Sequence, residues 1–276
     1  MGWVLSRLLI ILAGSVALVS GWMLMFEDGY IYFPSRDMLH TPADVGLSFT
    51  EHRFTTQDDV SLHGWHMPHT AARHTVLHFH GNAGNISHRL HLYQRWHKMG
   101  LGVFAVDYRG YGKSSGKPSE DGLYEDARAS WQHLTAKLGI PASQVIIAGR
   151  SLGCAVAAQL AVNLGDRTRP AGIALETPFT NAPALARIFY PWLPVSLLMR
   201  TKLETLGRVG QIRLPLLLIS AENDEIVPAG MGKTIYAAAN EPKTFVTLPG
   251  GHNGFDTFSE KAYVTAWKKW LTTLSE

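Results

Sequence analysis

Ser151 lies in Gly149-Arg150-Ser151-Leu152-Gly153, a G-x-S-x-G pentapeptide. The apolar run Val145-Ile146-Ile147-Ala148 precedes it and the Ala-rich stretch 152–164 follows it. A strand that turns this sharply into a helix strains the serine and presents its Oγ above a sheet, which is how a nucleophilic serine is displayed. Small residues on both sides let the turn pack. The helix amino terminus directs its positive end at the same point, favouring an anion there.

A serine hydroxyl attacks carbonyl carbon only with a base beside it, and the base needs a carboxylate to orient it. For a serine on such a turn the chain order is nucleophile, acid, base. His252 is the one histidine after Ser151, in the glycine-rich loop Pro249-Gly250-Gly251-His252-Asn253-Gly254. The acid falls in Ser220-Ala221-Glu222-Asn223-Asp224-Glu225, directly after the apolar run 214–220, because catalytic groups gather at the carboxyl ends of parallel strands. Asp224 is taken first, with Glu222 and Glu225 in reserve and Glu176 at the end of the preceding strand as a further position. The tetrahedral intermediate needs two preorganised donors. The Leu152 backbone N–H is one; the other is assigned to Asn82, with Ala83 beside it, in His80-Gly81-Asn82-Ala83-Gly84-Asn85, the loop after an earlier strand.

These loops need strands to end on. Segments 47–55 and 60–67 read as a hairpin around Gln57-Asp58-Asp59. Strands follow at 75–79, 102–108, 144–148, 171–176, 214–220 and 244–248, alternating with helices at 85–99, 123–138, 152–164, 234–239 and 258–274. Continuous apolar strands alternating with helices imply an α/β chain with a mostly parallel sheet covered on both faces.

With its elements in place the chain resembles the ABHD-type α/β hydrolases. The likeness rests on His80-Gly81-Asn82-Ala83-Gly84-Asn85, Asp107-Tyr108-Arg109-Gly110-Tyr111-Gly112-Lys113-Ser114, Gly149-Arg150-Ser151-Leu152-Gly153, Asn223-Asp224-Glu225-Ile226-Val227-Pro228 and Gly251-His252-Asn253, in that order. It is similar to the membrane-anchored branch described as serine aminopeptidase-like or lysophospholipase-like, related to protein depalmitoylases. The resemblance implies Ser151, Asp224 and His252 as a catalytic triad and the α/β-hydrolase fold. The depalmitoylase branch is tethered through an amino-terminal cysteine cluster, which this chain lacks.

The chain has 276 residues, 17% charged, and a net charge of +3 without a Lys/Arg block. This gives no support to a nucleic-acid partner. Cys154 is its one cysteine, so no internal disulfide framework exists. Leu8 to Phe26 is a run of 19 uncharged residues between Arg7 and Glu27, about as long as a bilayer core is thick. It is read as an uncleaved single-pass anchor over 1–26, ahead of a cleaved signal peptide or a buried core helix. The amino terminus is then cytoplasmic and the enzyme domain lies on the far side of the membrane. A connector at 27–44 leads to the hydrolase domain, 45–276.

Within that domain, 179–213 is a small apolar cap insert whose Phe179, Trp192 and Leu193 are expected to line a substrate pocket. Arg109 is either a binder of substrate anions or a structural brace. His63, His66 and His69 lie three apart, which puts them on alternate faces of a strand and argues against a metal. The expected function is hydrolysis of esters or thioesters of lipidic or acylated substrates at a membrane, through an acyl-enzyme and without a cofactor. The alternatives are a serine peptidase or amidase, and a non-catalytic binding module on the same fold.

Overall fold

The computed structural model describes residues 2–165 and 168–274. Eight strands form one sheet: β1 (Thr50–Thr55), β2 (Ser61–Met67), β3 (Thr75–Phe79), β4 (Gly102–Asp107), β5 (Val145–Arg150), β6 (Gly172–Glu176), β7 (Leu216–Ala221) and β8 (Lys243–Leu248). Their order is β1-β2-β4-β3-β5-β6-β7-β8. The two pairings that involve β2 are antiparallel and all the others are parallel. The α/β-hydrolase architecture expected from the sequence is therefore present, with the antiparallel hairpin at one edge.

The side-chain period of two sorts each central strand between two cores. Leu77, Phe79, Phe104, Val106 and Ile147 enter the core under α4 (Glu120–Gln132) and α5 (Leu152–Leu164). Val76, Val103, Ala105, Ile146 and Ala148 face the other core, where α3 (Leu90–Lys98) contributes Trp96 and the last helix (Glu260–Thr273) contributes Trp267 and Trp270. A one-residue slip would exchange these sets, so the burial of both faces fixes the register and the level at which each strand ends.

Helix boundaries differ from the sequence expectation where capping outweighs apolar period. The Ser119 hydroxyl accepts from the Gly122 amide and starts α4 three residues early; a π-turn at His133–Lys137 closes it. The helix after β7 begins at Ala229, directly after Pro228, whose ring suits a helix entry.

Two amino-terminal helices, α1 (Gly2–Met25) and α2 (Glu27–Ile31), precede the sheet. The expected membrane anchor is corrected here: among the described residues no helix is long and apolar enough to cross a membrane. The single-pass topology, with a domain beyond the membrane, falls with the anchor.

Residues 27–44, expected as a connector, are bonded to the domain. Pro34 forms a parallel bridge with Gly84. The Gly84 amide donates to the Phe33 carbonyl at 3.2 Å and the Ser35 amide to the Gly84 carbonyl at 3.2 Å. The segment is thus stitched along the loop that follows β3.

Between β6 and β7 the insert carries three short helices, α6 (Ala182–Phe189), α7 (Val195–Leu198) and α8 (Leu206–Val209). It is tied back to α2. Glu27 is buried, with Oε1 accepting from the Thr201 amide at 2.8 Å and Oε2 from the Arg200 amide at 3.1 Å.

Candidate active site

Ser151 occupies the turn between β5 and α5 with φ of 52°, a left-handed conformation that is strained for a side-chain-bearing residue. Its amide donates to the Glu176 carbonyl at 2.8 Å, so the neighbouring strand β6 helps to hold the turn. A Cβ on Gly149 would collide with the Gly153 carbonyl, and one on Gly153 with the Phe79 carbonyl at the end of β3. Both motif glycines are therefore required by close backbone approach.

His252 Nε2 lies 3.0 Å from Ser151 Oγ, and its Nδ1 lies 2.8 Å and 3.0 Å from the two Asp224 oxygens. An ionised carboxylate only accepts, so the proton sits on Nδ1 and Nε2 is left to accept from the serine hydroxyl. Asp224 Oδ1 also accepts from the Ile226 amide at 3.0 Å and the Val227 amide at 2.6 Å, which fixes its rotamer.

The reserve acids are used elsewhere. Glu225 Oε2 accepts from the His252 backbone amide at 3.0 Å, and this bond holds the Glu225 carboxyl below its usual range. Glu176 Oε1 accepts from the hydroxyl of Tyr263 at 2.5 Å and the indole of Trp267 at 3.2 Å. Glu222 is exposed.

The loop after β3 passes beside Ser151. A Cβ on Gly81 would sit 3.6 Å from Ser151 Cβ. The Asn82 side chain is committed to the amino-terminal segment: Nδ2 donates to the Ile31 carbonyl at 2.5 Å, and Oδ1 accepts from the Phe33 amide at 3.2 Å and the Tyr111 hydroxyl at 3.0 Å. Asn82 and Leu152 both line the cavity. Leu152, as the first residue of α5, has no intrahelical acceptor for its own N–H.

The cavity over Ser151 has a volume of about 770 Å³. Phe179, Leu185, Phe189, Met199, Leu203 and Ile226 form its apolar part, while His88, Arg89 and Arg150 supply the basic side chains. Of the three expected pocket residues Phe179 is in the lining. Trp192 and Leu193 are corrected: neither lines the cavity. The turn between α6 and α7 sends Trp192 outward, 71% exposed, and buries Leu193.

Sequence reasoning missed Tyr30, Ile31 and Phe33, which wall the cavity from the amino-terminal side. The aromatics of that segment were the available signal. It also missed Arg150, inside the motif itself. Arg150 is ion-paired with Glu176 at 2.9 Å and Asp256 at 3.2 Å, and its guanidinium lies 4.7 Å from the Phe255 ring. Although burial alone would weaken it as a base, these two carboxylates raise its affinity for the proton.

Arg109 lies outside the cavity. It bonds Asp58 at 2.7 Å and Asp126 at 2.8 Å, which is the bracing role. Among the described residues no group of three or more His, Cys, Asp or Glu side chains could hold a metal. His63 and His80 instead flank Asp107 at 3.2 Å and 3.7 Å; burial takes His80 down to about 4, so it stays neutral.

Comparison with known proteins matches residues 70–203 to the family described as serine aminopeptidase, S33. A Mycobacterium tuberculosis protein, Rv2307c, is 37% identical over 93% of this chain and 92% of its own length. The Arabidopsis thaliana α/β-hydrolase domain-containing protein WAV2 is 34% identical, over 88% of this chain and 84% of its own. Among solved structures, an esterase of Pyrococcus furiosus superposes with a TM-score of 0.74 at 21% identity, covering 88% of this chain and 98% of that one.

Proposed function

The chain belongs to the α/β-hydrolase family, and on that premise we propose that it is a serine hydrolase cleaving carboxylic esters or thioesters with an apolar acyl group. The observation that carries this reading is one continuous hydrogen-bonded chain, Asp224 to His252 at 2.8 Å and His252 to Ser151 at 3.0 Å.

The chemistry follows from that chain. Ser151 Oγ attacks the carbonyl carbon while its proton passes to His252 Nε2; the imidazolium so formed is held by Asp224. The negative charge on the carbonyl oxygen is met by the Leu152 amide at the amino end of α5 and the Asn82 amide in the loop after β3. Collapse of the intermediate breaks the bond to the leaving oxygen or sulfur, which takes the proton from His252 and departs as alcohol or thiol. Water, deprotonated by His252, then attacks the acyl-enzyme by the reverse sequence. The free acid leaves and Ser151 regains its proton.

The apolar cavity supports an acyl chain as the group held beside Ser151. A peptidase would use the same three residues, and the S33 description favours that second reading. An aminopeptidase, however, must neutralise the α-ammonium of its substrate, and among the described residues no Asp or Glu lines the cavity. The ester reading is therefore preferred. A fluorophosphonate probe should label the wild type and not Ser151→Ala, and p-nitrophenyl esters should be cleaved faster as the acyl chain lengthens. Folded wild type that takes no label sinks the enzyme reading. Equal rates on acetyl and octanoyl esters sink the acyl pocket, and faster cleavage of aminoacyl p-nitroanilides than of any ester restores the peptidase.

A further inference from the structure

The charges around the cavity do not balance at one place. Arg150 is matched by Glu176 and Asp256, and Arg95 takes the other oxygen of Asp256 at 2.7 Å. Arg89 has no carboxylate of its own. Asp256 acts on it at longer range, but that carboxylate is already bonded to the other two arginines. The one hydrogen bond of the Arg89 side chain among the described residues runs from Nη2 to the Ala83 carbonyl at 2.5 Å, and its Nε is buried without a partner. The guanidinium thus keeps N–H groups without protein acceptors while lining the cavity beside Ser151. Burial and the neighbouring Arg150 both disfavour its proton, yet an arginine does not give its proton up. What such a site lacks is an anion, which a guanidinium binds through paired, charge-assisted hydrogen bonds.

The sheet order gives the direction. The loop carrying Ala83 leaves β3, the nucleophile turn leaves β5 and the apolar cap leaves β6, and these strands are adjacent in the order β3-β5-β6. Arg89 therefore stands on one side of Ser151 and the apolar wall of Phe179, Leu185 and Leu203 on the other. We propose that Arg89 is an anion-binding subsite for the leaving group, so that the substrate is an amphiphilic ester or thioester with an apolar acyl chain and a carboxylate or phosphate on its alcohol or thiol side. This rests on the serine-hydrolase reading above and narrows it.

Two esters with one acyl chain test it: 4-nitrophenyl octanoate, which is neutral, and 3-carboxy-4-nitrophenyl octanoate. Their intrinsic reactivities cancel when the ratio of kcat/KM values is compared between variants. In Arg89→Gln the carboxylated-to-neutral ratio should fall about tenfold or more relative to wild type, and Arg89→Lys should recover part of it. A ratio unchanged in Arg89→Gln overturns the proposal, even if both rates drop, because equal losses report only the bond to Ala83.

Wild type supplies a second reading that needs no variant. Octyl phosphate should inhibit hydrolysis of the neutral ester competitively and more strongly than either 1-octanol or inorganic phosphate. Inhibition by inorganic phosphate alone as strong as by octyl phosphate assigns the site to free phosphate and overturns the amphiphile. Equal inhibition by octyl phosphate and octanol removes the anion site. If neither ester is cleaved and Ser151 takes no fluorophosphonate label, it is the serine-hydrolase reading that has failed.

Discussion

Beneath the substrate cavity, a single added methyl group at Gly149 or Gly153 would strike backbone carbonyls. Across the cavity, the facing wall is made of side chains that are half in water: Tyr30 is 54% exposed and Phe189 49%. The floor is set by buried strands whose register fixes the backbone, so Ser151 is placed to within the tolerance that proton transfer requires. The roof comes from 27–33 and from the insert before β7, joined through Glu27 and its bonds to Thr201 and Arg200. The floor is thus held by close-packed backbone, whereas the roof is held by side chains and a small number of long-range hydrogen bonds.

That contrast can be broken at either end. The largest effect belongs to the floor. Ser151→Ala should lower kcat on ester substrates by a factor on the order of a million while leaving the urea midpoint close to wild type; residual turnover near wild type would remove Ser151 from the chemistry. Next comes Gly153→Ala. Because the obstacle is the Phe79 carbonyl in β3, it cannot swing aside as a side chain would, and a stability loss of about 3 kcal/mol is expected in urea unfolding. A neutral result would show that the floor yields as readily as the roof.

The roof should respond through selectivity. Glu27→Ala leaves two backbone amides unpaired, at a stability cost of about 1–3 kcal/mol, and should reduce the preference for octanoyl over acetyl esters severalfold. An unchanged chain-length profile would mean that 27–33 does not shape the pocket. Burial pushes the Glu27 carboxyl upward, but its bonds to Thr201 and Arg200 outweigh this and hold it below its ordinary value of 4.5. The sign of the linkage follows: a depressed folded-state value makes this contribution complete above the ordinary carboxyl range and lost as pH falls through the lower folded value. Acid should therefore loosen the wild-type roof, and Glu27→Ala should flatten that part of the pH–stability curve. The smallest effect is expected at Trp192, where replacement by Ala should change stability by about 0.5 kcal/mol or less and leave chain-length preference as it was.

The same contrast decided what could be read from the sequence. The floor is written locally. Apolar strands, a G-x-S-x-G turn and fixed chain order pointed to Ser151 and His252 after β5 and β8 and narrowed the acid to the loop after β7, within which the resemblance favoured Asp224; the structure brings the three within hydrogen-bond reach. The roof is not local. Glu27 meets Thr201 across 174 residues of sequence and Phe33 meets Asn82 across 49, and no periodicity announces such pairings. Trp192 was misread because aromatic composition carries no direction; in a turn between two short helices the side chain faces whichever way the backbone leaves it.

Residues 27–33 touch two things at once. Glu27 holds the insert at Thr201, between α7 and α8, and seven residues of chain end at Phe33 on the side chain of Asn82. Mechanically the segment is a tie between two walls. On the proposed acyl-enzyme mechanism, a bulky acyl chain that lifts the insert would pull through α2 on the loop bearing Asn82, and a short one would leave it slack. By that route the fit of a remote methyl group would become tension at the reacting carbonyl, and chain length should register in kcat as well as in KM.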